Sequence, residues 1–394
     1  MRGKELFEKS ISRRVVLRAG AYGICAFCLT GIAGCMLQES EKPVAPEDLK
    51  TGAQKGFLGE ARSPWFEELD GNLIRCTLCP EKCELKEGER APCRVRENRN
   101  GKGYTLVYGN PAMVQEDPVE RKPYFHVLPG SRALSISTAG CNLTCKFCEV
   151  WDMALANPED VYAYNMPPED IIRQAELAGV KSVSFAFGEP VVFYEYMEKV
   201  AALAKEAGLL NLMHTAGYIN PAPLKAIAGQ MDAVNFDLKG FSPEFYRQYV
   251  GGEMEPVLKS LKILREAGVH LEITNIVIPT LNDDQEKIGA MCRWIVKELG
   301  PDVPLHFARF YPLYQLSSLP RTPVSTLEQS RKTALESGLK FVYVAKVTGH
   351  EGENTYCPQC GESIIDRMGF VIEELRIANG RCSYCEAEIP GIWH

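Results

Sequence analysis

Between residues 133 and 344, short β-branched apolar runs alternate with longer stretches in which apolar residues recur every three or four positions. A strand covered on both faces needs a continuous apolar run, whereas a covering helix needs only one apolar stripe, so the alternation predicts β/α units around a parallel sheet. Predicted strands lie at 133–137, 182–187, 211–214, 233–238, 271–278, 305–310 and 341–344. Predicted helices lie at 168–178, 194–207, 256–267 and 284–298. Six or seven such units are too few for a closed eight-unit barrel and predict an α/β fold of partial (β/α)6-type TIM barrel form. Its functional site is then expected at the C-terminal ends of the strands.

The rhythm is absent at both ends of the chain. Ser12, Arg13 and Arg14 followed by Val15, Val16 and Leu17 resemble a twin-arginine export signal, and an apolar segment at 19–34 follows. That segment is shorter than the roughly 20 residues needed to span a bilayer. It ends in Ile32, Ala33, Gly34 and Cys35, which resembles a lipobox whose cleavage leaves an acylated Cys35 as membrane anchor; an uncleaved membrane-dipping helix is the alternative. Cys25 and Cys28 sit in the apolar stretch as small fillers. The expected organisation is a signal at 1–35, a polar linker at 36–70, a four-cysteine module at 71–125, a core at 126–348 and a C-terminal zinc-ribbon-like module at 349–394.

Composition adds two exclusions. With 45% hydrophobic and 24% charged residues in 394, the chain has the make-up of an ordinary globular protein and not of a disordered one. The formal charge of -7 becomes -11 once residues 1–34 are set aside, 38 basic against 49 acidic side chains, which speaks against nucleic acid as a partner.

The chemistry is concentrated in cysteines. Cys141, Cys145 and Cys148 form a Cys-x3-Cys-x2-Cys loop just after the first predicted strand. A cubane iron-sulfur cluster takes one thiolate per iron, so three close cysteines without a near fourth leave one iron open to a ligand. A zinc knuckle or three unrelated thiols are the competing readings. Upstream, Cys76, Cys79, Cys83 and Cys93 form a compact four-thiolate set that suits zinc, a second iron-sulfur cluster or, after export, disulfides. Downstream, Cys357, Cys360, Cys382 and Cys385 form two Cys-x2-Cys knuckles and read as a structural zinc ribbon, with a rubredoxin-like iron using the same ligands. Cys292, beside Met291 and Trp294 in a predicted helix, reads as a buried apolar residue.

Polar residues at the predicted strand ends complete a candidate site. Glu189 follows Gly188 and precedes Pro190, and its bland reading is an acid that starts a helix. The period of two along a strand turns Asp237 and Lys239 to the same side. Glu272 and Asn275 on the next strand, and His306 and Arg309 on the one after, are further candidates.

The cysteine loop, with Phe147 before its last cysteine, resembles the signature of radical S-adenosylmethionine (SAM) enzymes. The resemblance implies a [4Fe-4S] cluster on Cys141, Cys145 and Cys148 that cleaves SAM to a 5'-deoxyadenosyl radical, which abstracts hydrogen from a substrate. Gly188 and Glu189 resemble the end of that family's Gly-Gly-Glu motif, which meets the SAM ammonium, although Phe187 stands in place of the first glycine. Asp237 and Lys239 resemble the Asp-x-Lys pair of glycyl-radical-enzyme activating proteins. From about Leu73 to Trp393 the motifs together resemble the radical SAM component of the AmmeMemoRadiSam system, related to pyruvate formate-lyase activating enzyme. Those motifs include Arg75 to Cys83, Cys93 to Arg96, Glu272 to Asn275, Pro304 to Pro312 and Ile389 to Trp393. Two positions depart from that pattern: Glu149-Val150 where the family has Gln-Asn, and Gly188 where it has Asn. The resemblance implies Phe147, Gly188, Glu189, Asp237, Lys239, Asn275 and His306 as cofactor-binding residues. It also implies a flavodoxin- or ferredoxin-like electron donor, and a protein substrate or system partners. Glycyl-radical activation of a protein and modification of a small molecule are the two expected outcomes. Export is at odds with the cytoplasmic supply of SAM and electrons, and a non-catalytic iron-sulfur or metal-binding lipoprotein is the competing class.

Overall fold

The computed structural model describes residues 52–394, which belong to one compact unit. The twin-arginine-like run, the lipobox at Cys35, Cys25 and Cys28 lie outside the described residues. Among the described residues no helix is long and apolar enough to cross a membrane.

An open eight-stranded sheet organises the unit. Its strands are β1 (Met113–Pro118), β2 (Arg132–Ser137), β3 (Ser182–Phe185), β4 (Leu210–Thr215), β5 (Ala233–Asp237), β6 (His270–Val277), β7 (Leu305–Arg309) and β8 (Val342–Ala345). Strands β2 to β8 pair in parallel in chain order, and β1 adds antiparallel to the outer edge of β2. Helices α1 (Pro168–Leu177), α2 (Tyr194–Glu206), α3 (Pro221–Ala228), α4 (Met254–Glu266), α5 (Gln285–Glu298) and α6 (Val324–Glu336) carry the chain from each parallel strand to the next. All four residues of β3 are buried, as a strand with both faces covered requires. Helix α1 buries Ile171, Ile172 and Ala175, one stripe, and exposes Glu169 and Arg173.

Each predicted strand is present within two residues of its expected bounds. Three elements were not expected. Strand β1, Met-Val-Gln-Glu-Asp-Pro, is a half-exposed edge strand whose polar composition carries no apolar run. Helix α3 opens with Pro221 and Pro223, which read as loop punctuation but occupy the first turn, where proline is tolerated. Helix α6 buries only Leu327, Ser330 and Ala334 and is polar elsewhere, so its stripe is faint.

The expected linker at 36–70 needs correction. Gln54–Lys55 pairs with Tyr162–Ala163, Ala61–Arg62 pairs with Tyr104 and Thr105, and Phe66–Glu68 pairs with Ile74–Cys76. Backbone hydrogen bonding thus draws the stretch from Gln54 to Glu68 into the body, and the part of the expected linker before residue 52 lies outside the described residues. The boundary expected at 125 is also crossed, since β1 belongs to the main sheet.

One buried carboxylate fastens the layers. Glu272 on β6 is fully buried and accepts hydrogen bonds from the backbone N–H groups of Phe125 (3.0 Å) and His126 (2.8 Å) and from His306 Nε2 (2.7 Å). Burial acts to raise its pKa, but the bonds from His270 and His306 prevail and hold the carboxyl well below its ordinary range. His126, pushed down to about 3 by burial, is neutral; its Nδ1–H donates to Pro390 O (2.6 Å) and its Nε2 accepts from the Tyr343 hydroxyl (2.6 Å). Arg367 donates to Phe125 O (2.8 Å), so the segment at 125–126 joins the sheet to the C-terminal module. Glu272→Ala strands two backbone N–H groups and a histidine donor in the core. It is expected to cost on the order of 3–5 kcal/mol, read as a lowered denaturant midpoint by circular dichroism; an unaltered midpoint would refute the fastening role.

Candidate functional site

The loop of Cys141, Cys145 and Cys148 leaves the C-terminal end of β2, the end where parallel sheets place their sites. Its backbone is pinned from outside. Thr144 N–H donates to Val250 O (3.0 Å) and Lys146 N–H to Tyr249 O (2.9 Å), both on the π-turn Tyr246–Val250. Inside the loop, Leu143 N–H donates to the Cys141 sulfur (3.4 Å) and Cys148 N–H to Cys145 O (3.2 Å).

The three cysteines and Phe147 line a cavity of about 460 Å3, together with Gly188, Glu189, Asp237 and Lys239 from the ends of β3 and β5. Asp237 Oδ2 accepts from Lys239 Nζ (2.9 Å) and its Oδ1 from His214 Nε2 (3.0 Å). Burial alone acts to raise the pKa of Asp237, but Lys239 and His214 outweigh it and the carboxyl is held well below its ordinary range. Lys239 is kept charged by Asp237 against the same burial, and its Nζ stands 5.8 Å from the centre of the Phe147 ring.

Glu189 is buried at the cavity wall. Its Oε1 accepts from Thr215 Oγ1 (2.6 Å) and Val191 N–H (3.2 Å), and its Oε2 from Ala216 N–H (2.9 Å). Burial raises its pKa while these donors oppose the rise. The bond from Val191 makes it the N-cap of the turn Pro190–Phe193, so its reading as a helix-start acid holds alongside its place on the wall. Gly188 N–H donates to Ser137 Oγ (2.9 Å), and a Cβ at Gly188 would lie 2.2 Å from that oxygen, so any side chain there requires the Ser137 hydroxyl to turn away and gives up this bond. Phe187, standing where the family motif has glycine, has a φ of +71°. An aromatic residue in that left-handed region carries backbone strain of about 1 kcal/mol. Its ring lines the cavity with the Arg121 guanidinium 5.0 Å from the ring centre.

Two expected cofactor-binding residues are not brought to the cavity. Asn275 points away because Thr274 and Ile276 present the cavity-facing side of β6; its Nδ2 donates instead to Leu238 O (2.7 Å). His306 is fully buried, turned to Glu272 and packed against the Phe125 ring at 4.8 Å between centres. Glu272 serves the fastening described above, and Arg309 donates to Thr322 O (2.8 Å). Sequence reasoning missed His214, whose only signal was its position at the end of β4, and Lys346, which donates to both oxygens of Glu149 (2.5 and 2.7 Å) across the cavity rim.

The two cysteine quartets differ. All twelve described cysteines are free thiols, so no disulfide joins Cys76, Cys79, Cys83 and Cys93. In the C-terminal quartet all four sulfurs lie within 4.8 Å of one another, with Cys357 to Cys385 at 3.6 Å and Cys360 to Cys382 at 3.8 Å. Four thiolates around one tetrahedral ion at about 2.3 Å stand about 3.8 Å apart, so this quartet fits a single closed metal site. Its core joins Cys357 and Cys382 to Phe341, Tyr343 and Phe125. Cys292 is buried in α5, as expected of an apolar filler.

Residues 135–292 match the model of the Radical SAM superfamily. The uncharacterized protein MJ0808 of Methanocaldococcus jannaschii is 40% identical over 327 residues, covering 82% of this chain and 97% of that protein. A probable GTP 3',8-cyclase of Methanosarcina acetivorans is 29% identical over 206 residues, 50% of this chain and 58% of its own length. The pyruvate formate-lyase-activating enzyme of Clostridium pasteurianum is 25% identical over 181 residues, 43% of this chain and 71% of its own. For the C-terminal quartet, Cys360→Ser with Cys385→Ser is expected to remove one equivalent of bound metal by elemental analysis and to lower the melting temperature; metal content equal to that of the parent chain would sink the single-ion assignment.

Proposed function

This chain belongs to the radical SAM superfamily and to one family with its Methanocaldococcus jannaschii relative, and from that premise we propose that it activates a protein partner by hydrogen abstraction from a glycyl residue. In this reading Cys141, Cys145 and Cys148 hold an open [4Fe-4S] cluster, and Phe147, Gly188, Glu189, Asp237 and Lys239 hold SAM. The observation that carries it is the convergence of three unpaired thiols, a carboxylate and a charged Asp237–Lys239 pair on one cavity. Unlike the C-terminal quartet, the three thiols do not close to the spacing of a single ion, which fits a cluster that spreads its thiolates over separate irons.

When bound, the cluster supplies the electron that cleaves SAM to a 5'-deoxyadenosyl radical. The protein's part is charge, orientation and dryness. Glu189, immobilised by its three donors, offers negative charge to the SAM ammonium. Lys239, kept charged by Asp237, offers a fixed cation to an anionic oxygen of SAM. Phe125, Phe147 and Phe187 exclude water from the walls. Radical SAM enzymes require a one-electron reductant, here a flavodoxin- or ferredoxin-like donor.

The Asp237–Lys239 pair and the relative named a pyruvate formate-lyase-activating enzyme support a protein substrate. Relatives named GTP 3',8-cyclases support the second reading, a small-molecule substrate. The finer placement we adopt is the AmmeMemoRadiSam type, with the open sheet as a partial (β/α)6 barrel and zinc in the C-terminal quartet. To the N-terminal segment we assign twin-arginine export and a lipid anchor on Cys35. Cys35→Ala is expected to move the protein from the membrane fraction to the soluble one, and persistence at the membrane would overturn the anchor.

Anaerobic reconstitution with iron and sulfide, then reduction in the presence of SAM, is expected to yield 5'-deoxyadenosine, and Cys145→Ala to abolish it. Asp237→Asn and Glu189→Gln are each expected to weaken SAM binding at least about tenfold, near 1.4 kcal/mol. A cluster that forms and is reduced without cleaving SAM refutes the enzymatic reading. Stimulation by a small-molecule fraction and not by protein shifts the substrate to the second reading.

A further inference from the structure

Of the upstream quartet, Cys83 and Cys93 pack against a separate small core of Ile74, Leu85 and Ala91, and all four cysteines are free thiols. Cys76, Cys79, Cys83 and Cys93 all line one cavity of about 190 Å3. Four thiolates closed on one ion leave no such space between them, as the C-terminal quartet illustrates at 3.6 and 3.8 Å. Among the described residues that C-terminal quartet is the one group of three or more metal-binding side chains whose ligand atoms all approach within 4.8 Å. The upstream thiols are therefore spread in the manner of Cys141, Cys145 and Cys148, each able to cap a different corner of a polynuclear centre.

A second observation concerns the charge such a centre carries. Arg96 lines the same cavity and is 1% exposed. Its Nη1 donates to Ser63 Oγ (2.8 Å) and its Nη2 to both oxygens of Glu195 (3.0 and 2.9 Å). Its Nε–H finds no partner among the described residues. A buried guanidinium donor left idle is costly, and an anionic sulfur cluster is a partner that satisfies it.

The two cysteine sites abut. Cys141 lines both cavities. Gly140, with a φ of +92°, lies where a Cβ would stand 2.7 Å from Cys93 O and 2.6 Å from Val95 Cγ1, so only glycine lets the upstream segment close on the loop.

We propose that Cys76, Cys79, Cys83 and Cys93 hold a second iron-sulfur cluster with four cysteine ligands, beside the Cys141 loop, with Arg96 Nε–H donating to it. All four ligands come from protein, so this cluster has no open iron and takes no substrate. It is independent of whether the first cluster binds SAM.

The test uses the full chain, purified and reconstituted anaerobically, carrying Cys141→Ala, Cys145→Ala and Cys148→Ala together. About four irons and about four sulfides per chain are expected to remain, with a reduced-state electron paramagnetic resonance signal that SAM leaves unaltered. Loss of all cluster iron overturns the proposal, as does a gain of one zinc in its place. Retained C-terminal metal and an unaltered circular dichroism spectrum show that the variant is folded. In that background, Arg96→Met with Glu195→Gln, which leaves no buried carboxylate stranded, is expected to keep the iron and lower the reduction potential. An unmoved potential overturns the contact to Arg96. Failure of SAM cleavage in the parent chain touches only the function proposed above, because the iron count of the triple variant does not depend on it.

Discussion

The Glu272 carboxylate is the fixed point on which the cavity depends. A charge taken wholly out of water is tolerable only when its lone pairs are met by donors, and here the donors come from two backbone amides and a histidine on different elements. Meeting that demand brings the chain at 120–126 under the parallel sheet, and this same stretch supplies Glu120, Lys122 and Phe125 to the cavity wall. His126 and Arg367 then tie it to the closing residues and to the C-terminal module. The sheet alone would present strand ends to solvent; the segment held by the buried charge adds a wall beside them.

Within that space the electrostatics are arranged in advance of any ligand. Asp237 is shared between a lysine and a histidine, so its charge is fixed and it fixes theirs. Glu189 is held by hydroxyl and amide donors alone, with no cation bonded to it, and retains negative charge to offer. The cysteine loop is held by backbone bonds to the π-turn, and Cys141 also accepts a hydrogen bond from Leu143 N–H within the loop. A non-catalytic electron carrier has no use for such a set of fixed charges around its thiols, and the family membership accords with a catalyst.

Much of the sheet was legible from short β-branched and aromatic runs, although the buried strands are not wholly apolar: β3 buries two serines beside Val183 and Phe185, and β5 buries Asn235 between Val234 and Phe236. Edge strand β1 and helix α6 were not, since one lies half-exposed and the other has only a thin buried stripe. The pairing of Asp237 with Lys239 followed from the two-residue period of a strand. Asn275 was a candidate only by its place on β6 and by resemblance, and neither discloses that Thr274 and Ile276 hold the cavity side of that strand. His306 failed for another reason. Its partner Glu272 lies on the adjacent strand, 34 positions away in the chain, and no local pattern discloses that a buried carboxylate claims it. His214 escaped notice because a single histidine at a strand end carries no pattern at all.

The C-terminal module was predicted as a self-contained fold around its metal, yet it does not stay apart. Between its second and third strands the turn at Gly369 and Phe370 reaches the rim of the 460 Å3 cavity, and Glu353 joins it there. A closed four-thiolate site holds such a small module together by the free energy of metal binding. A metal held there would support part of the wall around the Cys141 loop from outside that loop. A shortage of a metal held by that quartet would then be felt at the cavity wall and not only in the module that binds it.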